Sequence, residues 1–341
     1  MSVLYIHTAP TPKITGTDAV FNEAASLVTR FGGEQISLFP FSTPMSVFPR
    51  MLYGWHKLPI LRQRQQMIDF NHIFAPGLYY YPVLSQLSKP IIYSVTAAVS
   101  PADLSRPLEN LKQLPQILVS NDRDAQVLSE CAFNNVTVVK PGLDLSRFRV
   151  SELALEDTLH LLMASAPWEL SQFSTKGVNL LLDVLLQHPK LRLTLLWRGY
   201  LLKEIEKNIR DRKLEDRIHL INEHVDVATI LPEVHATILL AKNADLVKAY
   251  PHSLIESLAC GKPVIISNSI AMADYVQDKQ CGVVVSDYSL DSLRKSLDLL
   301  KRNYAIYAKN AQVSGAEEFD KKRMFKEVDL IYQKYGFKAS S

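Results

Sequence analysis

Hydrophobic and polar positions follow a repeating rhythm along this chain. A short continuous apolar run gives way to a polar loop, and then to a longer segment with apolar residues at helical spacing. The first run is Val3-Leu4-Tyr5-Ile6. After a polar loop, Val20, Ala24, Leu27 and Val28 fall on one helical face, and Gly32-Gly33 supplies the stop. Further strands are expected at 35–39, 73–75, 90–95, 116–119 and 136–139, the last running on through Lys140 to Pro141-Gly142. Apolar runs of this kind, separated by helices and short loops, predict a mainly parallel sheet covered on both faces.

The same rhythm restarts after a charged, loop-like stretch at 144–157. Strands are expected at 159–164, 191–197, 218–222, 236–241 and 262–267, with helices at 178–187 and 201–213 between the earlier ones. From Asp291 onward the pattern is helical, with Leu290, Leu293, Leu297 and Leu300 at helical spacing. The reading is an α/β protein of two Rossmann-like α/β/α domains, 1–150 and 151–320, with a helical tail at 321–341. Two such sheets facing each other predict a ligand cleft between the domains.

Composition narrows the function classes. Across 341 residues, 47% are hydrophobic and 21% charged, as in globular proteins. A formal charge of +3 is too small to argue for nucleic acid. Cys131, Cys260 and Cys281 lie too far apart for a disulfide framework or a zinc spacing, and the nine histidines form no HExxH pattern, so no metal is expected. The start MSVLYIHTAP lacks a basic n-region and a long apolar run, and no run reaches the length of a membrane span. A cytoplasmic chain is expected, with peripheral contact at the inner face of a membrane left open.

The segment from Lys248 to Pro263 carries the most chemistry. Pro251 and Ser253 can open a helix, which would put Glu256 in its first turn, and Gly261-Lys262-Pro263 would end it. A carboxylate there can accept two ribose hydroxyls, or merely answer the helix dipole. Lys176-Gly177, read as the end of a polar loop before a helix, can meet a phosphate or be an exposed lysine. Gly16 and Thr17 open the first helix, where amides can take phosphate; Thr17 or Asp18 as an ordinary N-cap is the plainer alternative. Asp122 and Asp124 read as helix-start charges rather than metal ligands. His7 is read as following the first strand, where it can face the cleft. His72 and His219 read as structural or solvated.

One stretch stands apart. Between Glu34 and Asp69 there is no acidic residue, yet Arg50, Lys57, Arg62 and Arg64 fall among Phe48, Met51, Leu52, Trp55, Ile60 and other apolar residues. Such a surface can rest on anionic lipid or receive an anionic acceptor, or it can be a loop and helix covering the first sheet. Prolines at 40, 44, 49 and 59 exclude one long amphipathic helix.

Taken in order, Pro141-Gly142-Leu143-Asp144 through Phe148, Lys176-Gly177-Val178, Tyr250-Pro251 through Glu256 to Val264, and Gly282 to Val285 resemble motifs of the GT-B glycosyltransferases of the retaining family 4 type, also called group 1. The resemblance runs over nearly the whole chain and is weakest at 40–68. It implies transfer of a hexose from a nucleotide-diphosphate sugar to an acceptor hydroxyl with retention, and no cofactor. It implies that Glu256 takes the ribose hydroxyls, that Lys176 meets the diphosphate, and that Gly16 and Thr17 lie near the donor phosphate. Tyr250, Pro251, His252, Ser253 and Leu254 would complete the donor site. The partners implied are the nucleotide sugar and a glycan, lipid-linked or small-molecule acceptor.

The departures fall at catalytic positions. Lys248 stands where the family has a glutamate that contacts the transferred sugar, and Thr96 where a histidine usually follows the fourth strand on the acceptor side. The basic residue expected before the Lys-Gly turn is absent, and Arg198 is a candidate substitute. Lys248, with Lys176, is the catalytic candidate and can stabilise the leaving diphosphate, though a lysine at 248 can equally mark a changed donor or lost catalysis. A catalytically silent homologue serving as a partner subunit, and a nucleotide-sugar epimerase of the same architecture, are the competing readings.

Overall fold

A computed structural model describes residues 2–9, 18–40, 48–197, 199–315 and 318–336. It divides into two compact units. One contains the first strand, Asp18–Gly142 and the chain from Lys321 onward; the other contains Leu143–Asp320.

The first unit is built on a six-stranded sheet, all parallel, from β1 (Val3–His7), β2 (Glu34–Ser37), β3 (Phe70–Ala75), β4 (Ile91–Val95), β5 (Gln116–Val119) and β6 (Val136–Val138). Their spatial order is β2-β1-β3-β4-β5-β6. β1 and β3 are buried along their whole length, which accounts for the apolar runs Val3–Ile6 and Ile73–Ala75 within them. The helix Ala19–Phe31 starts at Asp18, whose carboxylate accepts from the Val20 and Phe21 amides at 2.9 and 3.2 Å. It stops at Gly32, in a positive-φ conformation that suits glycine.

The terminal segment is not a separate tail, and the first unit closes at Gly142 rather than near 150. The helix Lys321–Gln333 buries Met324, Val328, Ile331 and Tyr332 against Val3, Tyr5, Phe70 and Phe74 of the first sheet. Inside that contact, His72 Nδ1 lies 2.5 Å from the Tyr332 hydroxyl and Nε2 lies 2.7 Å from Ser94 Oγ. Burial pushes the His72 imidazole down to about 3, so it is neutral and structural, as expected.

The second unit repeats the plan with β7 (Leu159–Met163), β8 (Leu191–Leu196), β9 (Ile218–Ile221), β10 (Ala236–Leu239), β11 (Val264–Ser267) and β12 (Gly282–Val285). All neighbours are parallel, in the order β12-β11-β10-β7-β8-β9. The chain runs outward from β7 through β9, then returns to pair β10 with β7. The strand order therefore reverses between β7 and β10, the place where open α/β sheets hold ligands at their carboxyl edge. Among the described residues, no helix is long and apolar enough to cross a membrane.

Candidate functional site

Both motif loops of the second unit leave the two strands that flank this reversal. From β7 the chain passes through 164–170 into a short helix, Ser171–Thr175, and reaches Lys176 and Gly177 before the helix Val178–Gln187. The stretch read as a loop thus contains a helix. It is one turn long and opens at Leu170 with no side-chain cap, so the sequence carries no start signal for it. Lys176 is buried, against the alternative of an exposed lysine. Gly177 has a positive φ and sits against Leu240 at the end of β10; a Cβ there would collide with that side chain. The Tyr288 hydroxyl donates to the Ser174 carbonyl and braces the turn from the far side.

From β10 the chain runs through the 3-10 turn Ala244–Leu246 to Lys248, and then to the helix His252–Ala259. The two loops meet directly, because the Lys242 amide donates to the Thr175 carbonyl at 2.8 Å. Lys248 Nζ lies 3.4 Å from His252 Nε2, so two basic groups stand together beside the helix start.

The helix begins one residue later than the residue that closes its entry: Pro251 is the N-cap, and Ser253 makes no side-chain cap. Glu256 accordingly opens the second turn, not the first, and the dipole explanation for it weakens. Burial is the main influence on its carboxyl, which is raised to about 7; Arg147 acts in the opposite direction and Asp226 reinforces the rise. No hydrogen bond to its carboxylate is found among the described residues.

The remaining predicted residues divide by role. Leu254 is fully buried, and Tyr250 is buried with its ring 5.7 Å from Phe319 and 6.4 Å from Tyr275. Their side chains hold the loop from behind. His252 and Ser253 are partly exposed, while the Leu254 and Ile255 amides donate back to the Pro251 carbonyl at 3.1 and 3.3 Å. Thr96 follows β4 of the first unit, where its hydroxyl donates to the Ala75 carbonyl at 3.1 Å. Gly16, Thr17 and Arg198 lie outside the described residues.

Sequence reasoning missed Arg147 and Asp226. They form an ion pair at 2.9 Å and act electrostatically on Glu256. Asp226 also caps the helix Val227–Ile230. Arg147 lies within the Asp144–Phe148 motif, but its partner is far along the chain, so spacing gave no cue. His7 is corrected: it is the last residue of β1, buried, and stacked on Phe21 with centroids 4.2 Å apart. Asp124 behaves as read from sequence. Its oxygens accept from the Val99 amide and the Asn121 side chain at a helix start.

Arg64 departs from the sequence reading, since it pairs with Glu34 at 2.6 Å and is not an unopposed charge. The other basic residues of that stretch remain on the surface with Met51, Leu52, Trp55 and Ile60.

Comparisons with known proteins were consistent with this geometry. Residues 171–316 match the sequence family described as "Glycosyl transferases group 1", a span that contains both the Lys176 turn and the Glu256 helix. A search of curated proteins found no match. Among solved structures, the chain is similar to Anabaena HepE in complex with UDP-glucose, at 14% identity and a TM-score of 0.76, covering 98% of this chain and 100% of that one. It is similar to sucrose-phosphate synthase from Thermosynechococcus elongatus, at 14% identity and a TM-score of 0.73, covering 98% and 99%. WaaG, a glycosyltransferase involved in lipopolysaccharide biosynthesis, gives 14% identity and a TM-score of 0.68, covering 96% and 99%. The two parallel-sheet, Rossmann-like α/β units of this chain have the two-domain architecture called GT-B.

Proposed function

We propose that the protein is a glycosyltransferase that moves a hexose from a nucleotide-diphosphate sugar to an acceptor hydroxyl, with retention at the anomeric carbon. One observation carries the reading. The Lys176-Gly177 turn and the Lys248–Glu256 segment leave the strands on either side of the sheet reversal and touch through Thr175 and Lys242. A lysine, a helix start and an acceptor-only carboxylate are thereby gathered at one sheet edge, which suits the phosphates and ribose of one nucleotide. The family match over the same span, and the UDP and UDP-glucose complexes of a similar fold, support it.

In this reading Glu256 accepts the ribose hydroxyls in its ionised form. Lys176 faces the diphosphate across the amides of the helix Val178–Gln187. Lys248 and His252 answer the charge that develops on the leaving phosphate. Retention needs no protein nucleophile when the leaving phosphate itself takes the acceptor's proton, so a lysine at 248 is compatible with turnover. The acceptor is a glycan, a lipid-linked glycan or a small molecule, and the reaction is placed in the cytoplasm, at the inner face of the membrane.

The test is a screen of purified protein against UDP-, GDP- and ADP-sugars, reading binding by calorimetry and turnover by product release. Binding with transfer to an added acceptor supports the proposal. Binding without any turnover favours a silent homologue. Interconversion of the donor sugar without an acceptor favours an epimerase.

A further inference from the structure

The segment from Arg50 to Arg64 carries a surface that the donor site does not use. Tyr53 and Leu61 anchor it: both are buried, and Tyr53 stacks on Tyr81 at 5.8 Å and meets Phe39 edge-on at 5.4 Å. The 3-10 turn Arg50–Leu52 and the helix Leu58–Arg64 both pack on the turn Pro82–Gln86, so they are neighbours on one side of the first unit. Outward from these anchors, Met51, Leu52, Trp55 and Ile60 are 57%, 42%, 40% and 47% exposed. The Trp55 indole N–H already donates to the Met51 carbonyl at 3.0 Å, which leaves an aromatic ring at the surface with its polar atom satisfied.

Arg50, Lys57 and Arg62 lie on the same short helical elements as these side chains. Among the described residues none of the three meets a carboxylate, and Arg62 contacts only the neutral Gln86 amide, at 2.8 Å. The nearest acids in sequence are Glu34, already paired with Arg64, and Asp69, which accepts from the Ser2 amide. Exposed aliphatic and aromatic groups interleaved with cations that meet no carboxylate fit the boundary between anionic headgroups and acyl chains. A second copy of the same face would bring like charges together, and a nucleic acid would leave the aliphatic groups in water.

We propose that this face docks on an anionic lipid bilayer, with Met51, Leu52, Trp55 and Ile60 entering the interface and Arg50, Lys57 and Arg62 meeting lipid phosphates. The proposal deepens the reading of a lipid-linked acceptor and rests on it only for its purpose. Its test needs no nucleotide, so the two can fail separately.

The experiment is co-sedimentation of the full chain with vesicles of phosphatidylcholine alone, or of equal parts phosphatidylcholine and phosphatidylglycerol, at low and high salt. The expected result is binding to the anionic vesicles only, weakened by salt. Each of Arg50→Gln, Lys57→Gln and Arg62→Gln should weaken it about fivefold. Trp55→Ser combined with Ile60→Ser should abolish what salt leaves behind, whereas Arg64→Gln should change nothing. Melting curves and nucleotide calorimetry on every variant show that the fold and the donor site are intact. Failure of the parent to bind anionic vesicles at low salt overturns the proposal. So does unchanged binding in the Trp55/Ile60 variant, or self-association of the vesicle-free protein through this face.

Discussion

Glu256 sits under opposed influences at the start of its helix's second turn: burial raises its carboxyl to about 7, and Arg147 pulls it down. The unfolded chain ionises this group near 4.5, so the native state holds its proton more tightly. The associated stability is fully present below the unfolded value and is lost as pH rises through about 7. Glu256→Gln removes that dependence. At pH 8 the variant should be more stable than the parent by on the order of 1–2 kcal/mol, less than the full shift because part of the residue stays open to solvent. At pH 4.5 the two should coincide, and parallel melting curves across the range would show the effect absent. Nucleotide binding should run the opposite way. The parent's preference for a ribonucleotide over its dideoxy counterpart should grow as pH rises through 7, and the variant should show no such growth. At Lys176, replacement by Ala should weaken a nucleoside diphosphate more than the matching nucleoside; equal weakening would place the lysine elsewhere.

At the scale of elements, the joint between the two loops is the Gly177 turn. Its positive φ and its closeness to Leu240 leave no room for a Cβ. Gly177→Ala should destabilise the second unit by about 2 kcal/mol or more, read as a lower melting temperature, and nucleotide affinity should fall with it. A variant that melts like the parent would mean the turn can relax. Much of this layout was legible in the sequence. Strands such as β1, β5 and β11 are buried parallel strands, and their apolar runs announce them. The helix Val178–Gln187 is marked by its leucines and by the glycine before it. The helix Ser171–Thr175 was not legible, because one turn without a cap leaves no pattern. Glu256 was placed a turn too early because Ser253 looked like the cap, whereas Pro251 holds that position. The segment from 321 onward was read as a helical tail, but nothing in it names the sheet it returns to. That partner is set by Tyr332 fitting against His72, a contact between distant parts of the chain.

At the scale of the molecule, the second unit carries every described residue assigned to the donor, and the first unit carries Thr96 and the cationic, apolar face. Lys248 is central to the proposed donor site. A lysine beside His252 at the sheet edge suits a phosphate, so Lys248→Glu should lower donor affinity and turnover while the melting temperature stays unchanged. Steady-state kinetics beside a melting curve checks this, and unchanged kinetics would remove Lys248 from the donor site. The central claim is that a nucleotide diphosphate binds at the reversal of the second sheet with its ribose on Glu256. Its most direct test is calorimetric titration of the parent and of Glu256→Ala with a panel of nucleoside diphosphates. At least one should bind the parent, and the variant should bind that one at least about tenfold more weakly, the range expected for lost hydrogen bonds to a charged group, with its fold intact. No binding to any member of the panel, or the same Kd in both proteins, would contradict the account.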